Sequence, residues 1–412
     1  MQEAAIKQWS CELVALPRRI PPHFCRAEPR ARALRYLRGL LSSVQRKNGW
    51  QLAEHLGECS PDGVQRLLNA AHWDADVVRD DLRAFVVERL GDQEAVLMVD
   101  ETGFLKKGSD SVGVKRQYSG TSGCIENCQV GVFLCYASRH AAAFIDRALY
   151  LPKEWAADPE RRTQAGVPEA IAFQTKLAMA MAMAMAMAML ERAFDAGVPC
   201  RWVTGDEVYG GDRTLRFELE QCRQPFVLAV ACNEPLWQGG PVYRPAQEIA
   251  AQLPSTAWQR LSAGAGTKKG PRWYDWAWQP LWRLQLTSEE QTWGHWLVVR
   301  RNLKKPDELA YYVAFAPRDD VTLKTLAQVV GRRWAIEAGF EATKQECGPG
   351  EYEVRSWSAW YRHIPSRYWR TPFWSPCSYR LKRGVCPRPD CADCCRGATS
   401  LDSLVVAHTA QG

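Results

Sequence analysis

Nowhere in the 412 residues do about 18 apolar residues follow one another cleanly, which excludes a membrane-spanning helix. Met1 to Phe24 also lacks the run of roughly 7 to 15 apolar residues that forms the core of an export signal. The expectation is a cytoplasmic chain whose 15 cysteines stay reduced and mostly serve as small buried apolar residues. A strong charge of one sign is missing too. The net charge of +7 permits a polyanionic partner without establishing one. With 46% hydrophobic and 24% charged residues, the composition is neither disordered nor fibrous.

What is present points to an α/β protein of several units, since one domain usually takes roughly 100 to 200 residues. Leu34, Leu37, Leu40 and Leu41, then Val64, Leu67 and Leu68, then Val77, Val78, Leu82 and Phe85 recur at helical spacing. Residues 1–92 are therefore read as an N-terminal helical domain. Ser60-Pro61 supplies an N-cap and a first-turn proline for a helix running to Trp73. A helix-turn-helix that enters a DNA groove and a plain helical packing unit both fit this pattern.

Short apolar runs follow, at Ala95 to Val99, Ser111 to Tyr118 and Cys128 to Ala137, separated by glycine-rich turns. A helix is expected over Pro168 to Phe194. It contains the strict Ala-Met repeat Ala178 to Met189, whose period of two suggests a strand but whose residues both favour helix. The repeat is read as an expanded low-complexity insert rather than a metal or partner site. Arg201 to Thr204 and Pro225 to Ala231 read as strands flanking a helix at Thr214 to Cys222. Residues 93–232 thus form the first part of a core.

Residues 233–295, with Trp258, Trp273, Trp276, Trp278 and Trp282, read as a β-rich insertion whose tryptophans mostly fill its own core. Residues 296–364 complete the core with strands at Trp296 to Arg300 and Ala310 to Ala316 and a long helix at Thr322 to Cys347. This alternation is an α/β plan.

Three acids stand out. Asp100 ends an apolar strand, and Asp206 follows the strand at 201–204, both where α/β sheets place their sites. Two such aspartates can share a hard divalent cation, which prefers oxygen ligands. The neighbouring Glu101 and Glu207 project elsewhere and are assigned supporting or solvent roles. On the long helix, Arg333, Glu337 and Lys344 are spaced by four and seven and share one face. Both a phosphate-handling face and an ordinary salt-bridged surface answer to that stripe. Basic residues also cluster at Arg26 to Lys47, at Lys106, Lys107, Lys115 and Arg116, and at Arg300 to Lys305.

Together these residues resemble the insertion-sequence transposases of the DDE superfamily, close to the family numbered seven-hundred-and-one, over roughly Pro22 to Ile364. The most specific segments are Val-Asp-Glu-Thr-Gly-Phe-Leu-Lys-Lys-Gly (99–108), Ser-Val-Gly-Val-Lys-Arg-Gln-Tyr-Ser-Gly (111–120), Gly-Asp-Glu-Val-Tyr-Gly (205–210) and Tyr-Glu-Val-Arg-Ser-Trp (352–357). The resemblance implies a ribonuclease-H-like core whose catalytic, metal-binding acids are Asp100, Asp206 and Glu337. It implies that Arg333 and Lys344 contact DNA phosphates, and Lys106, Lys107, Lys115 and Arg116 are expected to join them. The broad group often carries Tyr three residues before the Arg; this chain has Val330.

The activity implied is cut-and-paste transposition by a metal-dependent endonuclease and strand transferase. Two Mg²⁺ ions roughly 3.5–4 Å apart, with Mn²⁺ as a substitute, activate water or a 3′-hydroxyl for in-line displacement. The partners implied are double-stranded DNA with terminal inverted repeats and a second copy of the chain, with no membrane. The competing class is a catalytically defective, DNA-end-binding remnant. Its motives are the Ala-Met insert and the tail, 365–412, read as aberrant and disordered. Pro365, Pro372 and Pro376 are expected to stop any helix. Cys386, Cys391, Cys394 and Cys395 offer only one Cys-x-x-Cys hook where zinc sites pair two. The competing expectation is a one-base frameshift near Pro365, because one permitted back-translation of Pro365 to Ser375 reads as an apolar helix in the shifted frame.

Overall fold

A computed structural model describes residues 19, 21–42, 44–120, 122–172, 178–265, 270–347 and 352–368. Four helices come first: α1 (Ala27–Leu41), α2 (Gly49–His55), α3 (Asp62–Asn69) and α4 (Ala75–Leu90). Leu37, Leu40, Val64, Leu67, Leu68, Val78, Leu82 and Phe85 are buried as their spacing requires, Leu34 is half-buried, and Val77 is half exposed. The third helix stops at Asn69, short of Trp73, and Pro61 rather than Ser60 occupies its N-cap. The Trp73 indole N–H instead folds back onto the Leu67 carbonyl at 2.8 Å.

One large sheet organises the rest. Its strands are β1 (Val96–Leu105), β2 (Lys115–Ser119), β3 (Cys124–Ala137), β4 (Ala142–Leu149), β5 (Trp202–Gly205), β6 (Phe226–Val230), β9 (Gln259–Ala265), β10 (Pro271–Pro280), β11 (Trp293–Arg301) and β12 (Leu309–Pro317). The order is β2-β3-β1-β5-β6-β12-β11-β10-β9, with β4 also paired to β3. Strands β1, β5 and β6 run parallel, and the other pairings are antiparallel. A separate hairpin joins β7 (Pro235–Trp237) to β8 (Tyr243–Pro245). The Trp-rich stretch therefore supplies edge strands of the main sheet. Trp276 is fully buried, Trp278 stacks on Trp296 with centroids 5.7 Å apart, and Trp273 is half exposed.

The remaining helices used below are α5 (Ala178–Asp195), α6 (Glu207–Gly210), α7 (Arg213–Gln221), α8 (Leu323–Arg332), α9 (Trp334–Cys347) and α10 (Trp357–Tyr368). The Ala-Met repeat is helical, as propensity favours. It is not an appendage: Ala182, Met183, Ala186 and Met189 are buried at helical spacing, with α5 lying on β3. Because both residues of the repeat are apolar, whichever face the helix turns inward is a core face. Among the described residues no helix is long and apolar enough to cross a membrane.

Helix α10 continues through Pro365 to Tyr368, against the expectation that proline stops it. A proline inside a helix orphans the carbonyl four residues earlier, here that of Tyr361. The buried Arg147 donates to that oxygen at 3.2 Å. The same guanidinium donates to Asp76 at 2.9 Å and to the Ala75 carbonyl at 3.2 Å, so it ties α4 and α10 to β4. Residues 369–412, with Pro372, Pro376 and the four tail cysteines, lie outside the described residues.

Candidate active site

Asp100 does not end its strand. β1 runs on to Leu105, and Asp100 sits at its middle opposite Phe133 of β3. What ends at this level is the parallel neighbour, whose last pairing is Gly205 with Val99. Asp206, the next residue along, thus lies just past the end of the adjoining strand at the level of Asp100, and adjacent strands lie about 4.8 Å apart. The Asp206 carboxylate caps the short helix α6, accepting from the Val208 and Tyr209 N–H groups at 2.9 and 3.3 Å. Gly210 closes that turn so tightly against β6 that a Cβ there would run into the Ala229 carbonyl.

The third element is one helical stretch broken at Arg333 rather than a continuous helix. Arg333 N–H reaches back to the Val330 carbonyl and Ile336 N–H to that of Arg333, three residues each, which tightens the turn between α8 and α9. Beyond it, Phe340 stacks on Phe144 at 4.9 Å and meets the edge of Phe133 at 5.5 Å. Since residues opposite each other in an antiparallel pair share a face, α9 covers the face that carries Asp100.

The electrostatics follow from this placement. The Asp100 carboxyl is buried and pushed up from 3.8 to about 7. Loss of water is the largest cause and the Asp206 carboxylate the next; Arg333 and the Glu101 N–H pull the other way, and Glu337 adds a smaller push. Asp100 therefore feels the Asp206 carboxylate most among the neighbouring side chains, Arg333 next and Glu337 least. The Glu101 carboxyl is raised as well, by desolvation and then by Asp206, although part of its side chain reaches solvent.

Glu337 stands apart. It is exposed and pairs with Arg333 at 3.8 Å, and among the described residues no three His, Cys, Asp or Glu side chains close on a point that would hold one ion. The donor set at Asp100 and Asp206 does suit a hard divalent cation, being all oxygen and burdened by like charge that a cation would relieve.

The basic residues divide. Lys106 donates to the Tyr352 carbonyl at 2.8 Å and lies 3.2 Å from the centroid of its ring. Lys115 pairs with Glu154 at 2.6 Å, while Lys107 and Arg116 are exposed. The side chain of Lys344 lies outside what is described. Two of the sequence motifs interlock beside these residues: Val112 N–H donates to the Arg355 carbonyl at 2.9 Å, and Tyr352 hydroxyl to Gln129 at 2.8 Å.

A family model described as DDE superfamily endonuclease matches residues 19–277. The chain belongs to the DDE superfamily endonucleases. The nucleases of this superfamily generally use divalent metals. The match takes in Asp100 and Asp206 and ends before Arg333 and Glu337. The endonuclease is also similar to a probable transposase for insertion sequence element IS701 of Microchaete diplosiphon, 23% identical over 361 residues, 87% of this chain and 83% of that one.

Sequence reasoning passed over one residue beside the candidate site of this endonuclease. Tyr209 is fully buried and its hydroxyl has no hydrogen-bond partner among the described residues. Burial first, then the carboxylates of Glu101, Asp206 and Asp100, hold that hydroxyl protonated. The signal was there: an aromatic three residues past a strand-end acid falls in the first turn of the helix that the acid caps.

Proposed function

We infer that this chain is a DNA transposase, an endonuclease and strand transferase acting at the ends of an insertion sequence by cut-and-paste transposition. The observation that carries the reading is the pair Asp100 and Asp206, the first on β1 and the second just past the end of the parallel neighbour β5, close enough that the Asp206 charge raises the buried Asp100 carboxyl. The antiparallel set β1, β3 and β4 continued by parallel β5 and β6 supports a ribonuclease-H-like core. In this reading residues 1–92 recognise the terminal inverted repeats, 93–232 and 296–364 form the core, 233–295 is the insertion and 365–412 an appended tail. The protein acts in the cytoplasm at the nucleoid, as a homodimer on double-stranded DNA.

Asp100, Asp206 and Glu337 would hold the ions, Mg²⁺ or in its place Mn²⁺. Such ions would supply the Lewis acidity that activates water or a 3′-hydroxyl and stabilises the leaving oxygen of the displaced strand. The chain's own part is to bring charge together and to keep it available. Arg333 presents a planar guanidinium suited to a phosphate. Its pair with Glu337 is loose and half exposed, worth roughly 0–1 kcal/mol. A DNA phosphate that takes Arg333 therefore releases Glu337 toward the aspartates. Lys107, Arg116 and Lys344 follow the backbone, while Lys106 and Lys115 would first have to leave Tyr352 and Glu154.

One observation favours the second reading, a defective end-binding remnant: Glu337 is turned to solvent rather than gathered with the aspartates. Cleavage of DNA carrying the flanking inverted repeats separates the two. The transposase cuts it in Mg²⁺ and the Asp206→Ala variant does not. Equal cutting by both chains removes Asp206 from the site, and specific end binding with no cutting by either leaves the remnant.

A further inference from the structure

The break between α8 and α9 determines where Arg333 and Glu337 point, and the edge hairpin β9–β10 holds that break. Gly331, in the last turn of α8, lies so close to β9 that a Cβ would run into the Ala263 carbonyl. Helix backbone and strand backbone are thus in contact, two residues before Arg333. Arg272 of β10 fixes this contact. Its Nη2 donates to the Ala263 carbonyl at 2.9 Å and to the Gly331 carbonyl at 2.8 Å. Its guanidinium lies 5.3 Å from the ring centroid of Trp334, the first residue of α9. One side chain therefore holds the last turn before the break and the first residue after it. From the opposite side, Arg332 donates to the Ser138 carbonyl at 2.8 Å, at the turn between β3 and β4.

We propose that Arg272 is a positioning residue for the acid on α9: the edge hairpin sets the angle of the α8–α9 break and thereby the reach of Glu337 toward Asp100 and Asp206. It touches neither substrate nor ion and acts only through the helix. Because the break lies one helical turn before Glu337, its angle sets the direction of the α9 face that carries that carboxylate. The hairpin comes from the middle of the chain, far in sequence from α9, which makes the insertion part of the active-site framework as well as of the sheet.

This inference rests on Glu337 being a metal ligand, and a double-mutant cycle separates the two claims. Binding of Mn²⁺ to the full chain without DNA is followed by electron paramagnetic resonance of the free ion at pH 8. Glu337→Gln weakens binding. Arg272→Met weakens it by about tenfold, as loss of a ligand-orienting partner does. The double variant Arg272→Met/Glu337→Gln binds no more weakly than Glu337→Gln alone, because Arg272 acts only through that carboxylate. A purely structural Arg272 gives losses that multiply. Multiplying losses, or unchanged affinity in Arg272→Met, overturn the positioning role while leaving the acids in place. Unchanged affinity in Glu337→Gln removes the third acid itself and the inference with it. If circular dichroism finds Arg272→Met unfolded, Arg272→Lys replaces it in the same cycle, keeping the charge over Trp334 but not the fixed fork of donors.

Discussion

Replacing Asp100 by Asn should make the metal-free protein more stable in alkali and flatten its response to pH. The Asp100 carboxyl titrates near 3.8 when exposed and is pushed up to about 7 by burial and its acidic neighbours. A folded chain that holds its proton more tightly than the unfolded one is favoured in acid. That stability is fully present below 3.8 and is lost as pH rises to about 7. At about 1.36 kcal/mol per unit, the whole loss is about 4 kcal/mol. Between pH 5 and pH 8 roughly 2–3 kcal/mol of it remains to be lost, because the unfolded carboxyl is already ionised at pH 5. Proteins of 150–250 residues shift by about 2–4 °C per kcal/mol, and a longer chain by less. Calorimetry in EDTA should therefore find the parent melting a few degrees lower at pH 8 than at pH 5, with Asp100→Asn showing a markedly shallower slope. Some slope persists in the variant, since Glu101 is raised as well. Saturating Mg²⁺ at pH 8 should restore the parent's midpoint and leave the variant's unchanged. Equal pH slopes for the two chains would refute the account of a strained, cation-seeking carboxylate.

Two further substitutions test the framework. Gly210→Ala pushes a methyl group against the Ala229 carbonyl and should destabilise by roughly 1–3 kcal/mol, seen as a lower thermal midpoint; an unchanged midpoint means α6 can lift off β6 at no cost. Arg147→Met strips the Tyr361 carbonyl and Asp76 of their buried donor and should cost roughly 3–5 kcal/mol in denaturant unfolding, whereas a loss under about 1 kcal/mol would mean the junction of α4, β4 and α10 does not depend on it.

Much of this was legible along the chain because periodicity and propensity are local properties. The helices of the first 90 residues, the strands around Asp206 and the helical state of the Ala-Met repeat all follow from them. The misreadings share one cause. Strand β1 was cut short at Asp100 because a charged residue ordinarily ends an apolar run, yet here neighbours on β3 and α9 bury it. Strand β4 escaped notice because Ala-Ala-Phe-Ile-Asp-Arg-Ala-Leu (142–149) carries two charges, which the ion pairs of Asp146 with Arg192 and of Arg147 with Asp76 make tolerable inside. Helix α10 passes Pro365 for the same reason: Arg147, more than two hundred residues earlier, accepts the task of satisfying Tyr361.

For the site itself, the sequence alone determined which residue types were on hand: two aspartates following apolar runs, and an arginine and a glutamate four apart. Spacing within an element is a matter of backbone geometry and needs no partner. The tertiary structure decided the rest. Only sheet register sets Asp100 level with Asp206, and only burial among like charges raises the Asp100 carboxyl to about 7. Whether Glu337 joins them turns on a helix break held from across the fold by Arg272, a contact between residues about sixty positions apart that no local pattern encodes.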